Sequence, residues 1–363
     1  MTKAAELAKM GEVLTNSQIG GRRNIVINGA MQVAQRATSA TGLGGDGNTY
    51  NTCDRWHLSC ANTAGRFTMS QAADVHDGFA NALKFDCTTA DTSIAAGEFV
   101  ILTQRFEGQD VQQFKKGSSD AESITVSFYV KGNASATYAL ELFDNDNSRQ
   151  ASQLFSVTTD WTRVIKTFTP DTTGAFDDDN ATSLELNIFL HAGSNLTSGT
   201  LSSTFASNTN ANRAAGISSF FDSTDRTFFI TGVQLEVGEQ ATPFEHRSFG
   251  EELALCQRYY QQSYAHGTSA GTATNTNRVI RFLDGTQSYA GHYVTFRTEM
   301  RAAPTGTPYS TSTGTINKIR GDSADHAAVV GQSATHGLHA YAVNSSIGTM
   351  EALNLHYTAD AEL

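Results

Sequence analysis

The chain has 363 residues, of which 39% are hydrophobic and 17% charged, leaving 44% for Gly, Pro, His and the uncharged polar residues. Ser, Thr, Asn and Gln favour turns and strand surfaces over helix interiors, which excludes a mainly helical protein. A formal net charge of −11, from 25 basic and 36 acidic residues, opposes a sequence-independent grip on phosphate backbones, so nucleic acid is not an expected partner.

Disorder is not implied, because 21 Phe, 11 Tyr and several Val/Ile/Leu runs supply apolar surface for a core. The length allows two or three domains. The first residues interleave Lys3, Glu6, Lys9 and Glu12 with small apolar residues and do not resemble a secretory leader. No run approaches the eighteen or so apolar residues of a spanning helix, so membrane insertion is not expected. Cys53, Cys60, Cys87 and Cys256 show neither CxxC spacing nor a neighbouring His at metal-ligand distance, which disfavours zinc and a disulfide framework and fits free thiols made in a reducing cytoplasm.

In chain order, residues 1–15 carry Ala4, Leu7, Ala8, Met10, Val13 and Leu14 at three- and four-residue intervals, predicting a short amphipathic helix. So short a helix is marginal alone and must pack on something. Two readings stand: a docking or oligomerising seam of Leu7, Met10 and Leu14, or a helix lying on its own domain. A short strand over Ile25–Ile27 follows, then a turn at Asn28-Gly29, and a Gly/Ser/Thr/Asn-rich surface loop over 37–49. Gly42, Gly44, Gly45 and Gly47 lack the strand–Lys–helix setting of a phosphate loop.

From about 65 to 240 the pattern alternates with period two. Ile124, Val126, Phe128 and Val130 take one face against Thr125, Ser127 and Tyr129, and Leu184, Leu186, Ile188 and Leu190 do the same further on. Further strands are predicted at 66–70, 80–86, 98–106, 137–143, 161–168 and 227–237. About eight strands without intervening helices predict an all-β chain built on an antiparallel β-sandwich or jelly roll. The Ser/Thr/Asn/Ala segment 193–217 is an excursion too long to be idle, hence functional or part of an interface. Ser248 three before Glu251 makes a capping-box spacing, and Phe249, Leu253, Cys256 and Tyr260 share a face, predicting a helix over 249–262. Strands at 278–284, 290–299 and several shorter pieces predict a smaller C-terminal β-domain.

No GxSxG, HExxH or P-loop occurs, so no catalytic residue is assigned and the chain is read as a non-enzyme. Two acidic clusters, with Asp144 and Asp146 in one and Asp177 and Asp179 in the other, offer hard oxygen ligands for calcium without EF-hand spacing; the competing reading is a solvated turn. Sugar binding asks for aromatics with a flat face beside amides and hydroxyls. In the C-terminal domain Tyr289, Tyr293, Tyr309, His336, His339, Tyr341 and Tyr357 are candidates, against core or interface packing. His336 and His339 could share a metal, but no third ligand accompanies them.

Four segments then carry a resemblance: GEVLTNSQIGGRRN (11–24), NIVINGAMQVAQR (24–36), TGVQLEVGEQATPFEHRS (231–248) and EELALCQRYY (251–260), with RTEMRAAPT (297–305) similar to an MRxxPT signature. Together they resemble tail-fibre and related receptor-binding structural proteins of bacteriophages, particularly those of marine cyanobacteria. The resemblance implies a middle jelly roll similar to carbohydrate-binding modules, an N-terminal segment docking onto other virion proteins, a homotrimer, and a distal C-terminal domain meeting host surface polysaccharide. Arg22 and Arg23, inside the matching segments, join Leu7, Met10 and Leu14 as attachment candidates. An extended shaft is missing, which favours a short fibre or knob. The expected partition is an attachment segment 1–58, a jelly roll 59–248, a linking helix 249–265 and a distal domain 266–363. A capsid decoration or head-fibre protein is the alternative, and a polysaccharide depolymerase a third reading that lacks its usual repetitive β-helix.

Overall fold

The computed structural model describes residue 3 and residues 23–282, 290–343 and 352–363. Leu7, Met10, Leu14, Arg22 and Tyr289 lie outside the described residues, as does all of the predicted N-terminal helix except residue 3. The chain forms two compact units: the first holds 1–31, 41–49 and 57–247, the second 32–40, 50–56 and 248–363. Of the expected 1–58 segment, the described stretches 23–31, 41–49 and 57–58 fall in the first unit and 32–40 and 50–56 in the second, with Ile25, Val26 and Ile27 buried in the first and Val33, Cys53 and Trp56 in the second.

The first unit carries β1 (Ser39–Leu43), β2 (Gly47–Tyr50), β3 (His57–Ala61), β4 (Arg66–Ala72), β5 (Ala82–Thr89), β6 (Phe99–Glu107), β7 (Ile124–Gly132), β8 (Ala136–Asp144), β9 (Arg149–Val157), β10 (Thr162–Phe168), β11 (Thr182–Ala192), β12 (Ala206–Ser207) and β13 (Thr227–Val237). They form two sheets, ordered β1-β4-β5-β13-β7-β10 and β12-β9-β8-β11-β6-β3-β2, whose described strand pairs are antiparallel. This is the expected jelly-roll sandwich. Its core is aromatic: Phe128 of β7 meets Phe155 of β9 edge-on at 5.1 Å, and Tyr138 of β8 meets Phe228 of β13 at 5.5 Å.

The first sheet departs from simple alternation. Its polar outer residues are buried as well: Thr125, Ser127, Thr231 and Gln234 are no more than 1% exposed. The stretch after β13 turns back over them, with Thr125 Oγ1 donating to the Gly238 carbonyl at 2.6 Å and Thr242 donating its N–H and hydroxyl to Glu236. Residues 25–27, predicted as a strand, are irregular. Asn24 Nδ2 donates to the Val233 carbonyl, its Oδ1 accepts from the N–H groups of Val26 and Leu235, and Ile27 exchanges hydrogen bonds with the Gln104 amide. A Cβ on Gly29 would stand 2.1 Å from the Val233 oxygen, so only glycine lets the chain pass there. The segments at 24–31 and 231–247 that carry the resemblance thus lock together inside one unit.

The glycine-rich stretch read as a surface loop is instead β1 and β2, joined by a turn with Gly44 at φ 110° and Gly45 at φ 76°. Each is an edge strand with mostly exposed side chains, which is why no apolar period marks it. The excursion 193–217 packs Leu196 and Ala214 onto Ile101, Ala139 and Phe189 of the second sheet.

The second unit opens with the helix Phe249–Gln257, capped as expected: the Ser248 hydroxyl accepts from Glu251 N–H while the Glu251 carboxylate accepts from Ser248 N–H. It is shorter than predicted and gives way to β14 (Tyr260–Gln262), because Tyr259 and Tyr260 are drawn under the guanidinium groups of Arg55 and Arg36. Then come β15 (Val279–Phe282), β16 (Ala290–Thr295), β17 (Thr305–Ser310), β18 (Lys318–Arg320), β19 (Asp325–Ala334), β20 (Gly337–Ala342) and β21 (Ala352–Asp360). The sheet runs β14-β21-β18-β19-β20-β16, with β15 and β17 also paired to β21. Its core gathers Val294, Met300, Ile319, Leu338, Leu353, Leu355 and Tyr357. No helix among the described residues is long and apolar enough to cross a membrane.

All four cysteines are buried thiols, and burial pushes them up, Cys60 to about 12. The thiolate is the reactive form. The native protein is expected to give no rapid colour with dithiobis-nitrobenzoate and four thiols once denatured; rapid native labelling would contradict this burial.

Candidate functional site

Three strands of the second unit build the site. Val294, Leu338, Ala340, Ala342 and Ala328 point into the core, so period two turns the intervening residues of β16, β20 and β19 outward. Register places Gly291 opposite Tyr341, Tyr341 opposite Val329, and Tyr293 opposite His339. Tyr293 is 57% exposed and Val329 39%. His339 and Tyr341 lie 5.4 Å apart, their planes inclined by 32°, and His336 at the β19–β20 turn stands 6.4 Å from Tyr293.

Two glycines shape this face. A Cβ on Gly331 would come within 2.3 Å of Tyr341 Cε1, and one on Gly291 within 2.5 Å of Tyr341 Cβ and 2.7 Å of His339 Nε2. Both rings settle into space that any other residue would fill. Beside them Arg281 of β15 donates Nη1–H to the Gly291 carbonyl. Arg281, Gly291, His339 and Tyr341 line an open depression of about 480 Å³, within the usual range of ligand sites. A flat ring, a guanidinium and an imidazole converging on one hollow can stack on a sugar ring and hydrogen-bond its substituents.

The structure thus brings together four of the aromatic and histidine candidates, Tyr293, His336, His339 and Tyr341. Tyr309 lies apart, against Tyr264, which in turn stacks on His356 at 4.0 Å, and Tyr357 is a core residue. His336 and His339 associate with different tyrosines. No group of three or more His, Cys, Asp or Glu side chains suited to a metal occurs among the described residues. Arg281, Gly291 and Gly331 went unnoticed in the sequence; the signal available was the period-two pairing of Gly291 with Tyr293 and of His339 with Tyr341.

The remaining candidates serve the first unit. Arg23 stands 3.9 Å from Glu245. Asp144 is neither solvated nor open to a metal: it is 0% exposed and takes the Lys116 ammonium, with Asn147 also donating to it. Lys116 further reaches Asp171 at 3.1 Å and the carbonyls of Thr173 and Gly174. Exposed Asp146 accepts from the Asp177 N–H of the other cluster, and exposed Asp179 caps its own loop by accepting from the Ala181 N–H. A second polar face, unnoticed in the sequence, lies on β8, β11 and β6. There Arg213 pairs with buried Glu141 at 2.6 Å, and Asn187 links Glu141 to Thr103.

Of the buried histidines, three have their pKa lowered. His292, with Nε2 on the Leu353 carbonyl, is lowered to about 4 by burial first, with Arg281 and His339 adding to it. Burial also lowers His191, between Ser219 at 2.8 Å and Glu98 at 3.3 Å, and His356. A depressed histidine pKa means that the unfolded chain binds protons first as pH falls, so this contribution is full above pH ~6.5 and is lost toward pH ~4. For His292 alone it amounts to about 3 kcal/mol. Denaturation midpoints should fall steadily through that window, and Phe at 292 should flatten the fall; a profile level from pH 7 to 4 would contradict it.

No protein-family model matches the chain, and no curated protein matches it in sequence. Solved structures similar to it include a CBM4 structure (12% identity, 58% of this chain and 97% of that one, TM-score 0.30). Others are the CBM22-1 xylan-binding domain of Paenibacillus barcinonensis Xyn10C (11%, 61% and 99%, TM-score 0.29) and TmCBM61 in complex with β-1,4-galactotriose (11%, 60% and 99%, TM-score 0.30). At these scores the likeness carries nothing about a ligand, and the jelly-roll assignment rests on the strand topology itself.

Proposed function

We propose that the chain is a non-enzymatic virion component, a homotrimeric tail fibre whose N-terminal segment docks onto other tail proteins and whose second unit recognises a host-surface glycan. The observation that carries glycan recognition is the outward face of β16, β20 and β19, where Tyr341, His339, Gly291 and Arg281 line an open depression and exposed Tyr293 stands opposite His339 on the same face. The virion assignment is supported by the sequence resemblance in 11–36, 231–260 and 297–305, and by the absence of a recognisable nucleophile motif in the sequence.

Affinity measurements of the purified chain on host-envelope polysaccharide test the first part. Tyr341→Ala and Tyr293→Ala should each weaken binding by about tenfold or more, equivalent to ~1.4 kcal/mol, with unchanged circular dichroism. Undiminished binding in both variants would place the glycan elsewhere. Immunogold electron microscopy of particles tests the second part: label at the tail supports it, and label on the head favours the decoration-protein alternative.

A further inference from the structure

Resting on that reading, the charge around the depression narrows the kind of glycan. The net charge of −11 is unevenly shared: the first unit holds 16 basic residues against 26 acidic, the second nine against ten together with six of the ten histidines. Several arginines elsewhere are tied to carboxylates, as Arg36, Arg55, Arg105, Arg149, Arg213 and Arg226 are, while Arg66, Arg163 and Arg301 are occupied by carbonyls outside the depression. Arg281 is exposed, makes its hydrogen bond to a neutral carbonyl, and among the described residues has no carboxylate at ion-pair distance. Every residue lining the depression is cationic, aromatic or glycine.

An uncharged glycan would leave the remaining N–H groups of Arg281 to water. A carboxylate or sulfate answers them with charge-assisted hydrogen bonds, and the guanidinium fork suits a planar carboxylate best. Tyr341, seated over Gly331, offers its ring beside that anchor, and His339 adds a polar edge 5.4 Å away. We infer that the depression binds an acidic polysaccharide, with the anionic group on Arg281 and the sugar ring against Tyr341.

Affinity electrophoresis of the full chain in gels containing polygalacturonate, dextran sulfate or unmodified dextran, at low and high salt, tests this. The acidic polymers should retard the wild type, less so at high salt because a partly exposed charge contact is screened, and dextran should not. Arg281→Gln should weaken retardation at least tenfold and remove its salt dependence, Arg281→Lys should recover part of it, and Tyr341→Ala should weaken it as well. The two acidic arms decide between carboxylate and sulfate. If dextran retards the wild type, Tyr341→Ala abolishes this and Arg281→Gln does not, the acidic assignment falls while glycan recognition stands. If none of the polymers retards the wild type, both fall.

Discussion

Replacing Lys116 by Met is expected to destabilise the first unit by about 3–5 kcal/mol, the usual cost of stranding one half of a buried ion pair. The Lys116 and Asp144 side chains are 2% and 0% exposed, and Asp171 is 6%. Without the ammonium, Asp144 loses the cation that neutralises it, and the Thr173 and Gly174 carbonyls lose their donor. Arg149 still holds Asp171 at 2.8 Å, so most of the loss falls on Asp144. Burial pushes the Asp171 carboxyl up, but Arg149 and Lys116 outweigh it and hold its pKa below the ordinary value. In the wild type this contribution is therefore present above the unfolded carboxylate range and is lost as pH falls through the folded pKa. The variant should lose part of that dependence. Adding Asp144→Asn to Lys116→Met removes the stranded charge and should recover part of the stability. Denaturant titration of the three proteins checks it; a single-variant loss below about 1 kcal/mol would mean that water reaches this cluster.

How far the sequence could be read depended on whether a residue's neighbours lay on its own strand. The run Ile124 to Val130 announces its inward face by alternation, and the structure keeps that face. It could not announce that Thr125 and Ser127 are buried too, because what covers them arrives from residues 238–247. β9 escaped notice for the same reason. Gln150 and Ser152 are buried beneath the excursion, Gln150 donating to the Thr209 carbonyl and Ser152 to the Ser202 carbonyl, so polar residues occupy positions where an apolar period would be sought. In the second unit Tyr293, His339 and Tyr341 stood out as exposed-type aromatics, whereas Arg281 became part of the site only through β15 and the Gly291 carbonyl. Asp144 is the reverse case: its Asp/Asn neighbours read as a solvated turn, and the lysine that buries it lies 28 residues away.

Described parts of the resembling segments act as internal fastenings, and the one that brings Arg36, Tyr259 and Tyr260 to Arg55 and Glu362 should dominate the stability of the second unit. The Arg55 guanidinium lies 3.4 Å above the Tyr259 ring and binds Glu362, with the two side chains 1% and 5% exposed. The same carboxylate reaches Arg36 at 3.3 Å. Arg36 lies 3.7 Å above Tyr260 and pairs with Asp360 at 2.9 Å. Burial opposes the charge on Arg55, but Glu362 and its neighbours outweigh that and raise its pKa, so the guanidinium stays charged at every pH of interest. Glu362→Leu should therefore leave an uncompensated buried cation on Arg55, costing about 3–5 kcal/mol, and Arg55→Met should cost less, because Glu362 keeps Arg36 at 3.3 Å. Replacing both, as Arg55→Met with Glu362→Leu, should cost less than the two single losses added together, since matched apolar side chains strand no charge. Arg36 keeps the recovery partial because it loses Glu362 and retains Asp360. Trp56, fully buried beside Arg55, reports on this unit. A Trp161→Phe background leaves it the sole tryptophan of the two in the chain, and its fluorescence through a denaturant titration reads each variant. Strictly additive losses would show that Arg55 and Glu362 act separately; a deficit in the double variant shows that the tyrosine-seated arginines and the 360–362 carboxylates stabilise the second unit as one coupled network.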